Sequence, residues 1–259
     1  MPAIDAASVY EYPLNERLRT LLRLEQLFDR LEELLERDTP TDHHFALLTL
    51  FEVLDVTNPR SELRQDLLKD LGEHLCFLQP YVGDDQFDQT WLTAMVKHLQ
   101  SCRTRLESTT NQTSKALLEK DAWLAALRGR IHIPGGTTPF DFPQYHAWLR
   151  RSVEQRRQDL RNWIDAMDPL PAAVALVLQR VRDSAITYDV LAKAGRFSQP
   201  FPEDSAPSLV RLLLDPATGM FPETTANRLR IAVRMMQLSP EIQVIAVDVD
   251  TPFQIQLCA

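Results

Sequence analysis

The sequence predicts an α+β protein, a mainly α-helical N-terminal domain followed by a smaller antiparallel β-strand domain. Three observations lead there. Only seven glycines occur in 259 residues. Leucines recur at spacings of three and four through the first two-thirds of the chain. Beyond residue 195 the texture turns to short, β-branched or alternating segments separated by Pro, Gly, Asn and Asp. Glycine-poor, leucine-rich sequence at a period near 3.6 favours helices, whereas period-two alternation between turn residues favours strands. The expected division is a helical domain over 1–194 and a strand domain over 195–259. A short strand at 8–13, VYEYP ending at Pro13, is expected to join the strand domain.

The first long helix is expected from Asn15 to Arg37, with Asn15 as its cap. Leu14, Leu18, Leu21, Phe28, Leu31 and Leu35 form one apolar stripe along it. A second helix, capped by Thr41 or Asp42, runs through Asp55 to the turn TNP. Ser61 opens a third, which buries Leu63, Leu67, Leu68, Leu71 and Leu75. The fourth and fifth are expected over 87–108 and 114–127, with short helices at 143–150 and 152–167. Pro169 and Pro171 then open a buried helix to Ser184. GRFSQPFPEDSAP reads as a loop at 195–207. Strands are expected at 208–215, 227–236, 242–250 and 252–258.

Composition narrows the function. The net charge is −8 and the isoelectric point about 5.3, against the basic field that nucleic-acid binding requires. The cysteines Cys76, Cys102 and Cys258 are odd in number, distant and without a CxxC, which reads as free thiols in a reducing compartment. No secretory leader or membrane-length apolar run is seen, so a cytoplasmic protein is expected. HExxH, clustered Cys/His, GxSxG, GxGxxG and P-loop spacings are absent from the sequence, so no metal, cofactor or enzymatic activity is expected.

Four groups of basic residues stand out. Arg19 and Arg23 are four apart and share a helix face, which is also what a solvated face looks like. In RLRIAVRM, Arg228, Arg230 and Arg234 share one strand face while Leu229, Ile231, Val233 and Met235 take the other. Like charges on one strand face repel, and arginine forks suit carboxylates. The face reads either as a charge-protected sheet surface or as a landing site for an acidic segment. In LRGRIHIPGG, Arg128, Arg130 and His132 precede a turn in which Pro134 fixes its own φ and Gly135 or Gly136 supplies a positive one. His146 lies between Tyr145 and Trp148, where packing against aromatics is the plain alternative to a functional role.

YEYPLNERLRTLLRLE at 10–25 and RIHIPGGTTPFDFPQYHAWL at 130–149, with SELRQDLLKDL, NRLRIAVRMM and the closing QLCA, resemble the ZapD family of bacterial cell-division proteins. That resemblance implies a symmetric homodimer in the cytoplasm, at the midcell division ring. It implies binding to the tubulin-like protein FtsZ through the C-terminal tail peptide of FtsZ, and bundling of FtsZ filaments, with no nucleic-acid or membrane partner. The residues it implicates in partner contact are Arg19, Arg23, Arg60, Arg128, Arg130, His146, Arg230 and Arg234. The alternative is a helical adaptor that takes another acidic protein segment on the same arginine patches.

Overall fold

The computed structural model describes residues 7–57, 62–108, 113–202, 206–227 and 229–259. Helices dominate the N-terminal part and strands the C-terminal part, so the α+β expectation holds. The chain divides into two compact units, one made of Met1–Arg19 with Leu178–Ala259 and the other of Thr20–Val177.

In the helical unit, α1 (Glu16–Glu36) buries Leu21, Phe28 and Leu31 of the expected stripe and, beyond it, Leu24 and Leu27, while Leu35 is only half-buried. Asn15 caps it as expected, accepting from the Leu18 amide at 2.8 Å. Helix α2 (Pro40–Val56) starts earlier than expected. Thr39, not Thr41 or Asp42, is the cap, and Pro40 occupies the first turn, where its missing N–H costs nothing. Helices α3 (Leu63–Leu78) and α4 (Gln89–Ser108) pack on each other. The single helix expected over 114–127 is instead two, α5 (Thr113–Lys120) and α6 (Ala122–Ile131). Asp121 divides them by capping α6, with its side chain accepting from the Leu124 amide at 2.8 Å.

After the turn at Gly135 and Gly136 come α7 (Pro143–Leu149), α8 (Val153–Asp165) and α9 (Leu170–Asp183). Gly135 adopts φ +71°, and a Cβ on Gly136 would lie 2.7 Å from the Arg130 carbonyl, so both glycines are dictated by backbone geometry. Ser152 and Gln155 form a reciprocal capping box at the start of α8. Trp123 stacks on Trp163 at 5.6 Å and packs beside Trp148 and Tyr145. Trp148 donates its indole N–H to Asp159 and Trp163 donates its own to Asp121.

A buried polar knot ties α2 to α8. Arg156 donates from Nε to His43 Nδ1 at 2.8 Å and from Nη2 to the Asp38 carbonyl at 2.8 Å. His43 Nε2 faces the Arg37 carbonyl at 3.0 Å. The ring is therefore neutral with its proton on Nε2, because Nδ1 must accept.

The strand unit holds two antiparallel sheets. In the first, β1 (Ser8–Pro13), β4 (Leu209–Leu214), β8 (Thr251–Cys258) and β2 (Ile186–Ala192) lie in the order β1-β4-β8-β2. The second has the order β3-β6-β5, formed by β3 (Arg196–Pro200), β6 (Arg230–Leu238) and β5 (Met220–Ala226), and β7 (Val244–Ala246) also pairs with β6. Val210, Leu212, Phe253 and Ile255 of the first sheet and Ile231, Val233 and Met235 of the second form one apolar cluster. The strand expected over 242–250 contracts to β7, because Ile242 turns the chain at φ +61°. Three strands, β2, β3 and β5, were not anticipated.

One polar row crosses the whole first sheet. Glu11, Arg211, Gln256 and Thr187 are mutual register partners on four adjacent strands. Arg211 bonds Glu11 at 3.0 Å and Gln256 at 2.8 Å, and Gln256 bonds Thr187 at 3.1 Å. Arg182, at the end of α9, grips both oxygens of Glu11, at 2.8 and 2.7 Å. Burial alone would raise the Glu11 pKa, but the hydrogen bonds and charge of Arg182, then Arg211, hold it below the usual carboxylate value.

Candidate partner-binding surface

The strongest concentration of uncommitted positive charge among the sequence-selected residues is on β6. Arg230 and Arg234 are exposed while Ile231, Val233 and Met235 are buried, as the alternation requires. Leu229, expected on the apolar face, is instead 76% exposed, just ahead of the strand. Asn227 holds that turn, accepting from the Leu229 and Arg230 amides. Arg228 lies outside the described residues.

The register adds a residue that the sequence hid. Arg196 on β3 is the direct partner of Arg234. On the other side of Arg234, Glu223 of β5 is its register partner. Arg196, Arg234 and Glu223 therefore form one row across three strands. Ser198, Ala232 and Thr225 form the next, and Pro200 and Arg230 stand on the third. An open groove of about 560 Å³ runs over this face, lined by Arg196, Ser198, Glu223, Thr225, Ala232 and Arg234. Arg230 borders it, donating to Ser198 Oγ at 2.9 Å. Among the described residues, none of the three arginines forms an ion pair within 4.0 Å.

The other selected residues differ from one another. Arg19 pairs with Glu16 one turn earlier, at 3.2 Å. Arg23 is exposed on the same face of α1 and has no ion pair among the described residues. Arg128 pairs with Asp55, joining α6 to α2. Arg130 donates to the Asp141 carbonyl at 3.2 Å and lies over the Phe142 ring at 5.5 Å, bracing the Pro-Gly-Gly turn. Arg60 lies outside the described residues. His146 is half-buried on α7. The histidine that engages the aromatic group is His44, whose Nδ1 is 2.6 Å from the Tyr145 hydroxyl. Adjacency in sequence drew attention to His146, whereas packing of α2 brings His44, 101 positions away, to the Tyr145 hydroxyl.

No described group of His, Cys, Asp and Glu is arranged to hold a metal ion, and no described helix is long and apolar enough to cross a membrane. The geometry suits carboxylate recognition, with three guanidinium groups on one rigid sheet face beside small side chains and hydroxyls.

Residues 22–234 match a family model described as "ZapD: Cell division protein". A relative from Ralstonia pickettii (strain 12J), named Cell division protein ZapD, is 39% identical over 251 residues, covering 96% of this chain and 98% of its own. Another of that name, from Ralstonia nicotianae (strain ATCC BAA-1114 / GMI1000), is 39% identical over 250 residues, with 96% and 98% covered. These matches extend across both the helical and the strand-rich parts, and the chain belongs to the ZapD family of cell division proteins.

Proposed function

We propose that this protein binds FtsZ through the C-terminal tail peptide of FtsZ, and crosslinks and bundles FtsZ filaments to stabilise the division ring. It works as a cytoplasmic homodimer at midcell and catalyses no reaction. The observation that carries the reading is the arginine face of β6, whose charges have no ion-pair partner of their own among the described residues. Family membership supplies the cellular setting.

A mobile acidic tail loses conformational entropy on binding, so each contact yields modest affinity. Two sites on a dimer, each facing a filament that repeats the same tail, turn modest contacts into avidity. Arg230 and Arg234 are assigned to the tail, with Arg23 as a further exposed cation. Arg128 and Arg130 already serve Asp55 and the Asp141–Phe142 segment, so their removal acts through the helical unit. The contacts are exposed and lie within reach of screening, with a Debye length of ~8 Å at physiological salt, so binding should weaken steeply as salt rises.

Sedimentation of FtsZ filaments, full-length and tail-deleted, tests the reading. Bundled pellets are expected only with the tail present, and folded Arg230→Glu protein should not form them. Bundling by Arg230→Glu at the wild-type level refutes the site. Equal binding to tail-deleted FtsZ refutes the tail as ligand and favours an adaptor for another acidic segment.

A further inference from the structure

The arginine face carries more order than a basic patch needs. Arg196 and Arg234 stand directly opposite each other on neighbouring strands. Like charges so placed destabilise a sheet, and neither is neutralised by an ion pair among the described residues. Glu223 stands at the far end of the same row. The middle row, Ser198, Ala232 and Thr225, is built of small side chains, so it forms the floor of the groove. Adjacent strands lie ~4.8 Å apart and a strand rises ~3.3 Å per residue. The three-residue row therefore spans about 10 Å, and the rows of Arg234 and Arg230 are about 13 Å apart along β6. An extended peptide laid across the strands puts about three residues over the sheet. Its alternate side chains point to opposite walls.

We infer that this groove takes an extended acidic peptide across β3, β6 and β5, with Arg196 a third carboxylate contact and Glu223 excluding carboxylates from the β5 end. The inference rests on the reading of this face as the site for the FtsZ tail. It adds a contact residue and a direction. Carboxylates are drawn to the β3 side, where two guanidinium groups converge, and repelled at the β5 side. The peptide crosses the face and does not extend the sheet. Pro200 on β3 and Pro222 on β5 offer no N–H at either edge of the three-strand path.

The test is fluorescence anisotropy with a labelled synthetic peptide of the FtsZ C-terminal tail and a labelled peptide whose only charged side chains are glutamates. Wild type, Arg196→Ala, Glu223→Gln and Arg230→Glu are compared, with thermal melts to establish that each is folded. Arg196→Ala should weaken binding of both peptides by about 3–10-fold and flatten the salt dependence, as loss of a partly exposed charged hydrogen bond requires. Glu223→Gln should strengthen binding of the all-glutamate peptide about 2–3-fold, a sign that a merely structural role would not produce. Arg230→Glu losing affinity while Arg196→Ala matches wild type overturns the inference and leaves the tail reading standing. Glu223→Gln without gain overturns the assigned direction. Wild type that binds neither peptide overturns the tail reading itself.

Discussion

Replacing Glu11 by alanine should destabilise the strand unit by about 2–4 kcal/mol. Glu11 accepts three hydrogen bonds from two arginines, at 2.8, 2.7 and 3.0 Å. The side chains of Glu11, Arg182 and Arg211 are 17%, 25% and 22% exposed. Removing one partner of a fully buried ion pair costs about 3–5 kcal/mol, because the remaining charge is left desolvated and unpaired. Here two arginines would be left facing each other, which adds to the cost, while their partial exposure reduces it. At roughly 2–4 °C per kcal/mol for a chain of this size, the apparent melting midpoint should fall by about 4–16 °C. The assay is thermal and urea unfolding followed by far-UV circular dichroism, with a double-mutant cycle that adds Arg182→Ala. The coupling between the two positions should exceed about 1 kcal/mol. Glu16→Ala removes an exposed pair on α1 (side chains 36% and 85% exposed) and should change little, about 0.5 kcal/mol at most. A Glu11→Ala protein within about 0.5 kcal/mol of wild type would refute the reasoning, since no buried pair can be severed so cheaply.

Two more predictions concern the helical unit. Burial first, then the charge of Arg156, lowers the His43 pKa from 6.5, and burial lowers that of His44. The unfolded chain therefore takes up protons before the folded one, and stability falls as pH drops through about 6.5 toward the lowered folded values. Glu11, held below 4.5, contributes stability that is present above that value and lost only as pH falls through its folded pKa. All four tryptophans, at 91, 123, 148 and 163, lie in the helical unit. The urea midpoint seen by tryptophan fluorescence should thus fall between about pH 7.5 and pH 5.5, and an unchanged midpoint would contradict the histidine assignment. Asp121→Ala removes both the α6 cap and the acceptor of the Trp163 indole. It should cost about 2 kcal/mol by urea titration, whereas Asp121→Asn, whose single side-chain oxygen can keep the cap but not also accept from the indole, should recover only about half of that.

What the sequence made legible follows from where burial is one-sided. α1 was readable because its leucine stripe repeats over five turns and Asn15 marks its start. β6 was readable because Ile231, Val233 and Met235 alternate with exposed residues. β2 was not, since five of its seven residues are exposed and leave no period to detect. β3 carries Pro200 next to Phe201 and Pro202, and β5 carries Pro222, so both read as loop. Their prolines are tolerated because these strands pair on one side only, with β6. Arg196 was lost with its strand. The arginines show the limit of reading charge alone: Arg128 and Arg234 look alike in sequence, yet one is spent on Asp55 and the other faces a groove. That distinction depends on residues more than 70 positions away or on strand register, neither of which spacing encodes.

The pairing of β1 with β4 joins residues 8–13 to residues 209–214. During synthesis at ~5–20 residues per second, about 200 residues separate the two strands, a delay of roughly 10–40 s. The helical unit, continuous from Thr20 to Val177, is complete well before β4 exists. The first strand therefore waits with an unsatisfied backbone edge and with Tyr12 and Pro13, which the folded unit covers, still open to water, while a whole unit folds behind it. For this chain the vulnerable moment lies before release, when β1 is open to capture by a trigger-type chaperone or by the same strand of a neighbouring nascent chain on one polysome.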